Sequence, residues 1–204
     1  LVDRLPTLAP KESFHLWGHP RAAVSSLTPP NVTRALVKAP VHGLRTLLRP
    51  VSLDRLEVDD VLHCPSNIMG RAIPCAVVVT IHDLMWLLHP DFCEPRVWLR
   101  PFRSAFFSTG IRWALQRAAR LLTVSQASSD EIISVAPWVK DRIRVTHNAC
   151  SPEFRPPVDL DAARAASAIS SSFRSASTTT GCSKTALCCA SLTLRSHGAD
   201  SRSD

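Results

Sequence analysis

Short apolar runs, each stopped by a cluster of Gly, Pro, Asn, Asp or Ser, divide the chain into candidate elements. Ser13–Trp17 alternates weakly between polar and apolar residues and reads as a strand, broken by Gly18-His19-Pro20. Asn31–Val37, after Pro29-Pro30, is a second candidate strand. Residues 40–58 are basic and rich in leucine, at Leu44, Leu47, Leu48, Leu53 and Leu56, which predicts a helix interrupted by Pro50. Two strands follow. Val61-Leu62-His63 runs into Cys64-Pro65-Ser66-Asn67. Ala76–Ile81, an apolar and largely β-branched run, suits a strand covered on both faces and stops at His82-Asp83.

Leu84–Pro101, rich in Trp, His and Pro, predicts a loop over a cleft mouth. Phe102–Ala119 predicts a helix with Phe106, Trp113, Ala114 and Leu115 on its apolar face and Gly110 as a flaw. Leu121–Val124 is a short strand ending at Ser125. Ser128-Ser129-Asp130-Glu131 has the form of a capping box, so a short helix should follow and end before Pro137. Ile143–Thr146 is a further strand, leading to His147-Asn148. Alternating strands and helices predict an α/β fold with a parallel sheet, and ligands of such sheets bind outside the carboxyl ends of the strands. Polar side chains stand at those ends here. From about Asp159 the chain turns to Ser, Ala, Thr and Arg with few large apolar residues. Such a segment cannot offset its ordering entropy, so residues 158–204 are expected to be a disordered tail without strands.

The chain's 204 residues suffice for one ordinary domain and a remainder. A net charge of +7 permits an anionic partner, namely a phosphate-bearing substrate, an acidic membrane surface or nucleic acid. No nucleic-acid reader motif is present, so nucleic acid is not expected. The seven cysteines include no CxxC pair, and no apolar run approaches the length of a membrane span. A reducing, cytoplasmic setting is the expectation. His63, His82, His89 and His147 are scattered, and Cys182, Cys188 and Cys189 lie in the tail. None has zinc spacing, so no metal is expected. GxSxG and GxxxxGK[ST] motifs are absent.

Several short motifs, in order, resemble one family. They are Asp60-Val61-Leu62-His63-Cys64-Pro65-Ser66-Asn67, Val78-Val79-Thr80-Ile81-His82-Asp83-Leu84, Arg117–Ser125, Asp141-Arg142-Ile143-Arg144-Val145, Asn148 and Pro152-Glu153-Phe154-Arg155-Pro156. Together they resemble the amino-terminal half of a family-4-type retaining glycosyltransferase. The resemblance implies a Rossmann-like parallel sheet flanked by helices over residues 1–157, one half of a two-domain GT-B fold. It implies a nucleotide-sugar as co-substrate, a saccharide or lipid-linked acceptor, and no other cofactor. The family's glycine-rich first strand–turn is not visible and is expected before Leu1. The family's Asn-Gly-Val-Asp is Asn148-Ala149-Cys150-Ser151 here, and the donor-binding domain has no counterpart. The change near Asp159 is what a shifted reading frame would produce, and a genuine tail is the alternative.

His82 and Asp83 are the candidate catalytic residues. Histidine can bond a sugar hydroxyl or stabilise phosphate charge, and the resemblance implies contact with the transferred sugar. Its structural alternative is a bond to a loop carbonyl. Asp83 can orient an acceptor hydroxyl or take its proton, or simply cap the following segment. Ser66, Asn67, Ser125 and Asn148 are candidate substrate-binding residues, each with a turn or cap role as the alternative. Arg96, Trp98, Arg100, Phe102 and Arg103 form a basic aromatic region suited to peripheral contact with the inner face of an anionic membrane, the alternative being a solvated helix. The resulting expectation is a truncated hexosyltransferase, inactive by itself because half the cleft is absent. A non-catalytic α/β module that binds saccharide or membrane, or a chain that does not fold stably, are the other readings.

Overall fold

The structure, a computed structural model, describes residues 4–18, 29–36, 47–48 and 56–149, together with the backbone of 191–195. The elements are α1 (Leu5–Leu8), β1 (Ser13–Gly18), β2 (Val32–Leu36), β3 (Val61–Cys64), β4 (Ala76–Ile81), α2 (Met85–Leu88), α3 (Pro90–Cys93), α4 (Arg100–Arg117), β5 (Arg120–Thr123), α5 (Gln126–Val135), a 3-10 turn at Pro137–Val139, β6 (Ile143–Val145) and β7 (Ser191–Arg195). The chain divides into two compact units, Leu1–His147 with Leu187–Asp204, and Asn148–Ala186. The sheet belongs wholly to the first. The expected helix over 40–58 falls largely outside the described residues.

The fold is α/β with a Rossmann-like parallel sheet flanked by helices. The strand order is β2-β1-β7-β3-β4-β5-β6. β1 and β2 pair in parallel, and so do β3, β4, β5 and β6 with their neighbours. β7 lies between these two groups and is antiparallel to both, with Thr193 opposite His15 on one side and Leu62 on the other. The composition of the tail predicts no strand, so β7 is a correction. Ser191-Leu192-Thr193-Leu194-Arg195 does alternate polar and apolar residues, a period-2 signal hidden by its surroundings. A strand with partners on both edges also satisfies its backbone in the sheet, which compensates for a short and weakly apolar sequence. The rest of the tail lies outside the described residues.

The core follows from the strand period. Leu62 and Cys64 of β3, Val77, Val79 and Ile81 of β4, and Leu121 of β5 are buried on one face, where they meet Ile111, Ala114 and Leu115 of α4 and Ile132 of α5. Fully burying each large aliphatic side chain contributes roughly 1.5–3 kcal/mol. β4 is not enclosed equally on both faces as its composition suggests, since Val78 and Thr80 are half-buried and Ala76 is exposed. A second cluster holds Phe14 and Leu16 of β1 against Leu5, Ala9 and Val32. The side-chain amide of Asn31 donates to the carbonyls of Pro6, Ala9 and Glu12, which pins the α1 segment beside β1.

The expected long helix is present as α4, but its buried face is rotated. Phe107, Gly110, Ile111, Ala114 and Leu115 point inward, while Phe106 and Trp113 are half-buried. The reason is Gly110. A Cβ there would lie 2.7 Å from Ile68 Cβ and 2.8 Å from its Cγ2, and the Met69 amide donates to the Gly110 carbonyl at 3.2 Å. The glycine costs about 1 kcal/mol of helix propensity and in exchange lets the loop after β3 lie directly on the helix. At the other end, Arg142 Nη2 donates to the Leu115 carbonyl at 2.8 Å and Nη1 donates to that of Ala118, so a cation closes the carboxyl terminus of α4. The expected loop 84–101 contains the short helices α2 and α3, and Trp86 of α2 stacks on Phe107 with ring centroids 4.3 Å apart.

Among the described residues β7 is the only strand joining β1–β2 to β3–β6. Thr193→Pro removes one N–H from the middle of the ladder, and we expect a loss of about 3 kcal/mol in denaturant unfolding. Thr193→Val, which keeps the amide, should cost little. An unchanged unfolding midpoint for the proline variant would mean that β7 does not hold the sheet together.

Candidate functional site

Because β3, β4, β5 and β6 run parallel, the segments after Cys64, Ile81, Thr123 and Val145 emerge along one edge of the sheet. Asn67 lies at its centre. Its φ of 30° is in the left-handed region, which Asn tolerates better than other side-chain-bearing residues. That turn aims its amide at the next strand end. Its backbone N–H donates to the Thr80 carbonyl at 3.0 Å, Oδ1 accepts the His82 N–H at 2.8 Å, and Nδ2 donates to the Asp83 carbonyl at 3.3 Å. One side chain thus extends the β3–β4 pairing beyond the last backbone ladder bond.

His82 is half-buried, with Nε2 3.0 Å from the Pro65 carbonyl. A carbonyl only accepts, so in the neutral ring the proton is on Nε2 and Nδ1 presents a lone pair. Asp83 Oδ1 accepts the Met85 N–H at 3.1 Å, which anchors the start of α2, and lies 3.5 Å from Asn67 Nδ2. The structural alternatives for both residues are therefore realised. His82 Nδ1 and Asp83 Oδ2 have no hydrogen-bond partner among the described residues. They are the acceptors this edge offers to hydroxyl groups. Ser66 is half-buried in the same loop as Asn67.

Ser125, not Ser128, is the N-cap of α5. Its Oγ accepts the Ser128 N–H at 3.1 Å and bonds the Ser128 hydroxyl at 3.0 Å. Both serines fit the spacing of a cap. The capping box at Ser128 starts the helix three residues too late, because Ser125 is the one that keeps extended backbone geometry. Ser128 instead donates from Oγ to the His82 carbonyl at 3.0 Å and so ties α5 to the end of β4. That bond was not anticipated from the sequence, although the Ser125-x-x-Ser128 pair was its available signal. His147 Nδ1 lies 3.2 Å from the Val124 carbonyl. Asn148 is exposed and belongs to the second unit.

The structure thus brings together Asn67, His82, Asp83 and Ser125, with Ser128 as an unforeseen link. A cavity of about 410 Å³ opens elsewhere, lined by Leu87, Leu88, Arg112, Leu115, Val135 and Trp138 among others, and none of the strand-end residues lines it. The convergence of polar groups at the strand ends carries more chemical meaning than that apolar groove. Among the described residues, no group of three or more His, Cys, Asp or Glu is placed to hold a metal ion.

On the neighbouring strands, His63 is half-buried with Nε2 2.9 Å from Thr80 Oγ1, and burial lowers its pKa below the ordinary 6.5. The unfolded chain then takes up the proton first as the pH falls. The stability is full above about pH 6.5 and declines below it until the lowered folded pKa is passed. We expect His63→Gln to flatten the fall in unfolding free energy between neutral and mildly acidic pH, measured by urea titration at several pH values. An unaltered slope would assign that pH dependence to other groups.

Asn67 gives a separate test. Asn67→Ala loses the side-chain bonds and leaves a Cβ in left-handed geometry, at a combined cost of about 2–4 kcal/mol. Asn67→Gly loses the same bonds without the steric cost and should recover about 1 kcal/mol. Equal stabilities for the two variants would show that the backbone strain at this position is negligible. No protein-family model, curated protein or solved structure matches this chain.

Proposed function

We propose that this chain is the acceptor-side domain of a retaining glycosyltransferase of the family-4 type, acting with a nucleotide-sugar donor on a saccharide or lipid-linked acceptor. The observation that carries this reading is the convergence of Asn67, His82 and Asp83, from two separate motifs, on the carboxyl edge of one parallel sheet. His82 Nδ1 accepts a hydrogen bond from a hydroxyl of the transferred sugar, and Asp83 Oδ2 accepts one from the acceptor hydroxyl. Ser66 and the Ser125 region complete the wall of the pocket. In retaining transfer the departing phosphate assists the incoming hydroxyl, so the protein's part is orientation rather than strong-base chemistry. The chain alone is inactive on this reading, because its sequence carries neither the Gly-rich turn with Arg-Lys-Asn nor the pair of glutamates seven residues apart that would hold the nucleotide.

A second reading, a non-catalytic module binding saccharide or membrane, is favoured by one specific observation. His82 Nε2 and Asp83 Oδ1 are both engaged by the backbone, which suits fixed hydrogen-bond acceptors better than groups that exchange protons. Translating the coding DNA beyond codon 159 in its other two frames separates the readings. A Gly-rich turn with Arg-Lys-Asn and a pair of glutamates seven residues apart supports the transferase, and their absence supports the module.

The binding claim common to both is tested by titrating the isotope-labelled chain with methyl α-mannoside, methyl α-glucoside, UDP-glucose and GDP-mannose. We expect a glycoside to shift the amide signals of Asn67, His82 and Met85, and His82→Ala to abolish those shifts while the chain stays folded, with a stability loss of only about 1 kcal/mol from the bond to Pro65. No sugar should be transferred from either nucleotide-sugar. Shifts confined to other regions would overturn the proposed site, and turnover by the chain alone would overturn the claim that it is inactive.

A further inference from the structure

The segment after α2 is ordered around one acid. Glu94 is 1% exposed. Its Oε1 accepts from Arg96 Nε at 2.9 Å and from the Arg96 N–H at 3.1 Å, its Oε2 accepts from Arg103 Nη1 at 2.8 Å, and its backbone carbonyl accepts from Arg100 Nε at 3.1 Å. One residue thus gathers three arginines contributed by the approach to α4 and its first turn, two through its carboxylate and one through its backbone carbonyl. The bonds to Arg96 lead in holding the Glu94 pKa down to about 2, so this cluster stays charged at any pH at which the protein is handled. What covers the carboxylate is the arginines themselves, whose side chains remain 55% and 41% exposed at Arg96 and Arg103.

The apolar side chains interleaved with these arginines are directed into water. Phe92, Val97, Trp98 and Phe102 are 75%, 73%, 69% and 75% exposed. Isolated exposed apolar residues are ordinary, but four of them within eleven positions, two of them phenylalanines and one a tryptophan, are not. The polar network orders this segment while leaving its apolar members largely exposed. The chemistry that satisfies both sets is an interface with an apolar interior and anionic headgroups. Aromatic rings and Val97 enter the acyl boundary, and the half-exposed guanidinium groups meet phosphates. The chain's net charge of +7 favours the same partner. Among the described residues no helix is long and apolar enough to cross a membrane.

We propose that residues 92–103 form a preorganised docking surface for an anionic lipid bilayer, with Phe92, Val97, Trp98 and Phe102 inserting between lipids and Arg96, Arg100 and Arg103 binding their phosphates. This surface stands independently of the glycosyltransferase reading. It begins nine residues after Asp83 in the sequence.

The full chain is tested by co-sedimentation with vesicles of phosphatidylcholine alone and of phosphatidylcholine with about one third phosphatidylglycerol. We expect binding to the anionic vesicles, weakened by added salt, and little to the neutral ones. Trp98→Ser combined with Phe102→Ser should reduce partitioning by roughly tenfold or more, with the unfolding midpoint unchanged because neither residue is in the core. Glu94→Gln is the discriminating variant. Simple charge attraction predicts stronger binding, since the net positive charge rises, whereas a preorganised surface predicts weaker binding because Arg96 and Arg103 are released. No binding to anionic vesicles, or binding that the Trp98–Phe102 double variant leaves intact, would sink the proposal. Self-association without lipid that the double variant abolishes would instead assign the patch to a protein contact.

Discussion

The strand-end site depends on the side-chain amide of Asn67. Backbone hydrogen bonding between β3 and β4 ends with the strands, and beyond them two loops would otherwise part. Asn67 closes that gap with an acceptor for the His82 amide and a donor for the Asp83 carbonyl, and it can do so because its own backbone takes a left-handed turn. The next residue, Ile68, presses on Gly110 of α4, so the turn is fixed from the helix side as well. Ser128 then connects the His82 carbonyl to α5. Position, not exotic chemistry, is what this arrangement provides. Each candidate side chain uses one polar atom to hold its place and offers another.

The same economy recurs at Glu94, whose carboxylate holds two arginines and whose backbone carbonyl holds a third, and at Arg142, where one guanidinium closes the end of α4. In both places a single group of opposite charge or polarity replaces a layer of apolar packing. Such knots hold short irregular segments that cannot bury enough surface to order themselves. They also differ in their sensitivity to acid. Glu94 keeps its contribution above the ordinary carboxyl pKa of 4.5 and loses it only as the pH falls towards about 2, whereas His63 begins to oppose folding as soon as the pH drops below 6.5.

Much of the architecture was legible because strand signals and stops are local. Val61–Cys64, Ala76–Ile81, Arg120–Thr123 and Ile143–Val145 are short apolar runs ending in polar turns, and the helix ahead of Pro137 ends where proline requires. The rotation of α4 was not legible, because it is set by the approach of Ile68 to Gly110 across more than forty residues of sequence. A glycine that looks like a defect in helix propensity is the contact itself. The cap of α5 was misplaced because Ser125 and Ser128 carry the same chemistry at capping distance, and only the backbone angle separates them. The role of Glu94 is not legible in a stretch dominated by aromatic and basic residues, since its importance comes from partners two to nine positions away. At the site, His82 and Asp83 were visible from their place at the end of a strand, but their engagement with Pro65 and Met85 required the loops to be folded. The strand near the chain's end was lost in a composition that, averaged over the tail, argues against any structure.

β7 gives the sheet an unusual order of assembly. Of the seven strands it is the last to leave the ribosome, yet its place is in the middle. Until it has been synthesised, the inner edges of β1 and β3 have no other strand among the described residues to pair with, and at about 5–20 residues per second they wait for seconds. Closure then requires a contact between segments more than a hundred residues apart, His63 and Leu192, which is the kind of pairing that slows folding. A nascent chain of this design carries two open strand edges at its centre for most of its synthesis, and is exposed for that time to capture by chaperones or by the same edges on another chain.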